Sequence, residues 1–255
     1  MLFNEIIYGP IHSRRLGISL GVNLMPTDHK LCSFNCIYCE CGFNTPIHAP
    51  QLPARLQVKE ALESRLLHMK KQNLAPDVIT FSGNGEPTMH PEFLGIIQDT
   101  CSLRDTWCPS AKVAVLSNST QLFRQDVVEA LRLIDQRILK LDSAVNETMR
   151  LIDQPVNPQL TVADIVKMLQ CFDGDFTLQT CFLKGEHNGK HIDNTTPEEL
   201  DAWYKVVEHL NPKHIMIYVI DRATPIESLQ KIDAAIMQSI ADHLRSKGFS
   251  VTVSA

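Results

Sequence analysis

The 255-residue chain lacks several features that would direct it to a membrane or to nucleic acid. It has no unbroken apolar run of about 18 residues, the length a membrane helix needs, and no charged-then-apolar leader at its start. It has no low-complexity tract, long linker or short internal repeat. It also lacks a basic excess: 24 Lys and Arg stand against 29 Asp and Glu, a formal charge of −5. Phosphate contacts need Lys and Arg, so this balance argues against a dedicated nucleic-acid binder. The expectation is a cytoplasmic protein without a membrane partner. A disulfide framework is not needed either, because a chain of this length can bury a full core without staples. Its eight cysteines therefore point to metal or catalysis.

What is present is a strand-then-helix rhythm. Apolar runs at 17–24, 77–81, 112–116, 137–141, 176–182 and 214–220 predict buried strands, and 249–253 a terminal one. Helical spacing fills 56–69, 91–101, 122–134, 162–171, 197–210 and 227–245. Thr196, Pro197 and the acidic pair Glu198–Glu199 mark a helix start. Gly248 after Lys247 marks a helix end. Repeated β-then-α units imply parallel strands in an α/β fold, closed as an open doubly wound sheet or as a partial barrel. In both, function gathers at the carboxyl ends of the strands. Polar residues follow the strands there: from Cys32 onward, then 82–88, 117–120, 142–143, 184–187 and 221–224.

The first of these segments reads Lys30-Leu-Cys32-Ser-Phe-Asn-Cys36-Ile-Tyr-Cys39, with three thiols within eight residues. Thiolates are soft ligands that select iron–sulfur, zinc or copper(I). A [4Fe–4S] cube normally takes four cysteines, so three leave one iron open to a small molecule. Zinc remains an alternative if Cys41 or His29 completes a tetrahedral set. Cys101, Cys108, Cys171 and Cys181 show no cluster spacing and read as small packing residues.

Further candidates sit at the other strand ends. Ser82-Gly83-Asn84-Gly85-Glu86-Pro-Thr88 is a turn whose glycines permit positive φ and close backbone approach to a ligand. Ser117 and Asn118 end the third strand and could contact a ligand or cap the next helix. Lys140 and Asp142 share one face of the fourth strand, and a charged pair facing inward is rarely idle; a mutual salt bridge is the plainer alternative. Of Gln179 and Thr180 only one can point inward. Arg222, after the sixth strand, suits a carboxylate or phosphate, or simply a solvated loop.

The Cys-x3-Cys-x2-Cys spacing, with Tyr38 before the last cysteine, resembles the radical S-adenosylmethionine superfamily. The stretch Tyr8-Gly-Pro-Ile-His-Ser-Arg-Arg-Leu-Gly-Ile-Ser-Leu-Gly-Val-Asn23, Glu40, and the segments 82–91, 179–185 and 218–225 resemble its wyosine-synthetase-like group of iron–sulfur oxidoreductases. The resemblance implies a partial (β/α)6 TIM-like barrel as a single domain over 1–255. Its core would run from about 17 to 225, with a C-terminal helix and strand from about 226. It implies a [4Fe–4S] cluster on Cys32, Cys36 and Cys39, and S-adenosylmethionine cleaved to a 5′-deoxyadenosyl radical that abstracts hydrogen from substrate. By the same resemblance Tyr38 lies near the adenine, and the turn Gly83, Asn84, Gly85 and Glu86 meets the methionine amino group. Asn84 departs from the usual glycine there. Ser117 and Asn118 would face the ribose. Lys140, Asp142, Gln179 and Arg222 are the candidates for cofactor contact and for selecting the substrate hydrogen, with Lys140, Asp142 and Arg222 as catalytic candidates. An electron donor such as flavodoxin or ferredoxin is implied. Relatives in this group modify transfer RNA, which needs a basic face; Arg14, Arg15, Lys30, Lys70 and Lys71 are the residues available for one. The negative net charge favours a small molecule or a peptide. Activation of a glycyl-radical partner enzyme and a non-catalytic zinc module are the remaining alternatives.

Overall fold

The computed structural model describes residues 2–13, 16–46 and 50–254. The chain divides into two compact units. One comprises the chain before Ser33 together with Asn44–Ser117 and Gln121–Arg137; the other comprises Ser33–Phe43, Asn118–Thr120 and Ile138 onward.

In the first unit, strand β1 (Ile7–Ser13) runs antiparallel to β2 (Gly17–Val22), and β3 (Val78–Phe81) and β4 (Lys112–Ser117) follow in parallel. Helices α1 (Arg55–Lys71), α2 (Phe93–Trp107) and α3 (Gln125–Leu133) belong to this unit. β3 is buried along its whole length, and Val113–Val115 of β4 likewise. Parallel strands covered on both faces read as continuous apolar runs, which is why the sequence locates them. β1 was not expected. Gly9 and Pro10 break its pattern, and only its first residues are buried.

In the second unit the strand order is β5 (Gln136–Lys140, whose last three residues lie here), β6 (Thr177–His187), β8 (His214–Val219) and β10 (Val251–Ser254), all parallel. Helices α4 (Asn146–Asp153), α5 (Val162–Leu169), α6 (Pro197–Leu210) and α7 (Ala234–Ser246) accompany them. Thr196 caps α6 by accepting from the Glu199 amide at 3.3 Å, and Gly248 takes a positive φ just past α7. Three expectations need correction. Residues 184–187 are not a loop after the fifth strand. They extend β6 and pair antiparallel with β7 (Lys190–Asp193) and, at Leu183–Lys184, with β9 (Gln230–Lys231). The last helix does not begin at 227: β9 occupies that stretch, and α7 starts after Asp233, which accepts from the Ala235 amide at 2.7 Å. α4 was not foreseen at all.

No helix of the described residues is long and apolar enough to cross a membrane.

Candidate functional site

The cysteine segment is held by backbone pairing within each unit. In the first, Leu31 forms a parallel bridge with Gly85: the Leu31 amide donates to the Asn84 carbonyl at 2.9 Å and the Glu86 amide donates to the Leu31 carbonyl at 3.2 Å. A Cβ on Gly85 would lie 1.7 Å from the Leu31 carbonyl oxygen, and one on Gly83 would lie 2.7 Å from Asn23 Oδ1. The glycines of this turn therefore serve the approach of neighbouring chain. Asn84 is spent similarly. Its side chain accepts from the Phe3 amide and donates to the Phe3 and Pro26 carbonyls, each at 2.8 Å. Glu86, buried, accepts from the Thr88 amide and hydroxyl at 3.2 and 2.5 Å. Cys32 is bracketed by Asn44, which accepts from its amide at 3.1 Å and donates to its carbonyl at 2.9 Å.

In the second unit, residues 33–37 lie along the end of α4. The Asn35 amide donates to the Asp153 carbonyl at 2.8 Å, the Ile37 amide to Ile152 at 2.9 Å, and the Val156 amide to Ser33 at 2.9 Å, with a bridge between Phe34 and Pro155. The Cys39 amide donates to the Cys36 carbonyl at 3.1 Å. That bond closes a turn bringing the Cys36 and Cys39 backbones together. Asn118 donates to Ser33 Oγ at 2.8 Å and accepts from the Thr120 amide at 3.1 Å, and Ser33 and Thr120 share a 2.6 Å hydroxyl contact. Asn118 is therefore an anchor of the cysteine segment. Neither Ser117 nor Asn118 caps the following helix, whose cap position is Arg124.

Lys140 and Asp142 do meet, with Nζ 3.0 Å from Oδ2. A second acid that the sequence did not mark joins them: Asp153, at the end of α4, 2.5 Å from Lys140 Nζ. Lys140 also donates to Cys36 Sγ at 3.0 Å, and its ammonium lies 5.1 Å from the ring centres of Phe34 and Tyr38. Asp142, almost wholly buried, accepts from the Tyr38 hydroxyl at 2.5 Å and from the Cys181 amide at 2.9 Å. Burial and then the Asp142 carboxylate hold the Tyr38 phenol well above its usual range, so it stays a donor. Burial pushes the Asp153 carboxyl up to about 7 against the pull of Lys140. For Lys140, burial favours the neutral form, but Asp142, Asp153 and Cys36 outweigh it and hold the ammonium well above the usual lysine range.

Gln179 pairs in register with Lys140, so the two side chains share a face. Thr180 turns the other way and donates to the Leu141 carbonyl at 2.7 Å. Gln179 is more than nine-tenths buried, yet its Nε2 has no partner among the described residues. A buried amide donor without a partner is costly, and a bound ligand would remove that cost. Arg222 lies at the surface, donating to Glu40 at 2.7 Å. Of the residues considered for a basic face, Lys70 and Lys71 are exposed, Lys30 is only 2% exposed and offers none, and Arg14 and Arg15 lie outside the described residues.

No cysteine forms a disulfide, and Cys32, Cys36, Cys39 and Cys41 are half-buried, whereas Cys108 and Cys181 are fully buried. Among the described residues, no three His, Cys, Asp or Glu side chains are gathered around a single ion position. The fit of an iron–sulfur cluster with S-adenosylmethionine thus rests on donor chemistry. Three reduced thiols stand on an anchored segment, a cation touches one of them, and a buried amide on the same strand face has an unspent donor. These residues fit the pair.

No family model matches the chain. It is 30% identical over 237 residues to a protein named GTPase Obg from Brachyspira hyodysenteriae, covering 91% of this chain and 32% of that one. It is 27% identical over 225 residues to a UPF0026 protein of Helicobacter pylori, covering 88% and 68%. The chain thus spans about a third of the first relative's length, and it carries no G-x-x-x-x-G-K-[ST] phosphate loop. Among solved structures it is similar to a radical SAM methyltransferase from Sphaerobacter thermophilus (TM-score 0.67, 12% identity, 92% of this chain and 65% of that one). It is similar to TYW1 with a lysine-pyruvate adduct bound (0.64, 16%, 89% and 73%), and to Streptococcus suis SuiB bound to S-adenosylmethionine (0.64, 12%, 92% and 50%). These likenesses show the fold, a partial α/β barrel of the radical SAM type.

Proposed function

We propose that the chain is a radical S-adenosylmethionine enzyme acting on a small molecule or a peptide. The observation that carries the reading is the segment with Cys32, Cys36 and Cys39, anchored by backbone pairing, in a fold shared with radical SAM proteins. Cys32, Cys36 and Cys39 would hold a [4Fe–4S] cluster, and Gln179, with its unspent donor, would meet S-adenosylmethionine. Bound there and reduced by one electron from a flavodoxin- or ferredoxin-type donor, this pair supplies a 5′-deoxyadenosyl radical.

The protein's own residues bind and orient. A carbon radical attacks C–H bonds with little chemical preference, so the position of the target hydrogen sets the outcome. Tyr38 would border the adenine, its hydroxyl fixed by Asp142. Gly83 and Gly85 would present backbone groups to the methionine moiety, while the Asn84 amide and carbonyl and the Glu86 amide are engaged by Asn23 and Leu31 and the Asn84 side chain keeps its structural partners. Ser117 is the candidate for the ribose. Arg222, paired to Glu40 in the loop after Cys39, is a candidate for gripping an anionic substrate group.

The finer reading, membership of the wyosine-synthetase-like group, rests on the sequence resemblance together with the fold likeness to TYW1. A transfer-RNA substrate is disfavoured by the −5 charge and by the burial of Lys30.

The test is anaerobic. Protein reconstituted with iron and sulfide is reduced under nitrogen with S-adenosylmethionine, and 5′-deoxyadenosine is measured. We expect release from wild type and a loss of at least about tenfold in Cys36→Ala, equivalent to some 1.4 kcal/mol of barrier. Equal rates in the two, or a single tightly bound zinc with no visible absorbance, would overturn the reading.

A further inference from the structure

We infer that Lys140 sets the reduction potential of the cluster, through its hydrogen bond to Cys36 and under the restraint of Asp153. This deepens the proposed function and rests on it. The geometry is specific. Phe34, Cys36 and Tyr38, alternate residues of the cysteine segment, all face the Lys140 ammonium. Its Nζ lies 3.0 Å from Cys36 Sγ and 5.1 Å from each ring centre. Asp142 and Asp153 hold it from the strand and helix side at 3.0 and 2.5 Å. Its side chain is 11% exposed and both carboxylates are nearly buried, so solvent screens the group weakly.

The chemistry follows from charge. One electron passes from an external low-potential reductant into the oxidised cluster, and the reduced cluster is one charge more negative. Cluster potentials respond to net charge and to hydrogen bonds at the sulfurs. A cation donating to a ligand thiolate stabilises the reduced state and raises the potential. An acid sharing that cation draws it away and lowers the potential. Lys140 and Asp153 therefore act in opposite directions on one observable. A residue that merely props up the loop would not behave this way.

The experiment is a dye-mediated redox titration at pH 8 of the reconstituted full chain, followed by the electron paramagnetic resonance signal of the reduced cluster, without turnover. The variants are Lys140→Met, Lys140→Arg and Asp153→Asn. Lys140→Met is expected to move the midpoint to more negative potential by about tenfold in the reduction equilibrium, about 59 mV for one electron. Asp153→Asn is expected to move it to more positive potential, and Lys140→Arg to stay near wild type. An unchanged midpoint in Lys140→Met, or shifts of the same sign in Lys140→Met and Asp153→Asn, would overturn the inference. If Lys140→Met retains no cluster, Asp153→Asn decides: a shift that is absent or negative overturns it. A wild type that assembles no cluster is a separate outcome, which removes the proposed function and this inference with it.

Discussion

A Cβ at position 85 would stand 1.7 Å from the Leu31 carbonyl oxygen, at a φ of +152° that side-chain-bearing residues rarely adopt. Two of the backbone bonds that anchor the entry to Cys32 pass through this bridge. Gly85→Ala must open it. The backbone strain alone is on the order of 1–3 kcal/mol, and the lost bonds add to it. The expected outcome is a lower melting temperature and less than half the wild-type iron per chain after reconstitution, read by calorimetry and metal analysis. Gly189→Ala, with φ +71° and nothing within 4 Å of its Cβ, supplies strain without the clash and should keep its iron. The glycines were legible in the sequence as points of close approach, read there as approach to a ligand; in the structure the neighbours that come close are the Leu31 carbonyl and the Asn23 side chain. What approaches could not be read, because Leu31 lies more than fifty positions away in the chain. The same holds at Asp153. Nothing local distinguishes it from other acids, and its role comes from the fold bringing it to Lys140.

At the scale of elements, α4 carries more of the site than its eight residues suggest. Its last turn offers the Ile152 and Asp153 carbonyls to the cysteine segment, while the Ile152 side chain packs with Ile37, Cys181 and Leu183 in the core. Ile152→Ala should cost about 2–5 kcal/mol, the usual range for emptying a fully buried aliphatic site. It should also loosen the Cys36–Cys39 turn. Leu131→Ala in α3, equally buried in the other unit, is the control of matched stability. The prediction is a larger loss of iron in Ile152→Ala at comparable denaturant midpoints; equal losses would show that α4 does not position the segment. The sequence showed the parallel strands because burial on both faces leaves a continuous apolar signal, as in Val78–Phe81 and Val113–Val115. It did not show α4, which is mostly polar and has only Met149 and Ile152 as buried apolar residues, whereas α5, of equal length, is largely apolar. β1, β7 and β9 were missed for a related reason: they are short or half-exposed, and lie where Gly, Pro and charge interrupt any alternation.

For the whole molecule the question is whether the fold depends on metal. Small zinc modules unfold without their ion because ligation supplies most of their stability. This chain differs in two respects. Its buried side chains include Trp203, Phe81, Phe93, Phe176 and Phe182, none of them near the thiol segment in sequence. The segment itself is held by backbone hydrogen bonds that need no ligand. Metal should therefore add stability by mass action on an already folded chain. At about 2–4 °C per kcal/mol for a chain of this size, anaerobic removal of iron by a chelator should lower the melting temperature by several degrees. The far-UV circular dichroism and the cooperativity of the transition should remain. Loss of helical signal on chelation would instead mean that ligation builds the fold, as the zinc-module alternative requires, and a Cys36→Ala chain would then fail to fold in the absence of any metal treatment.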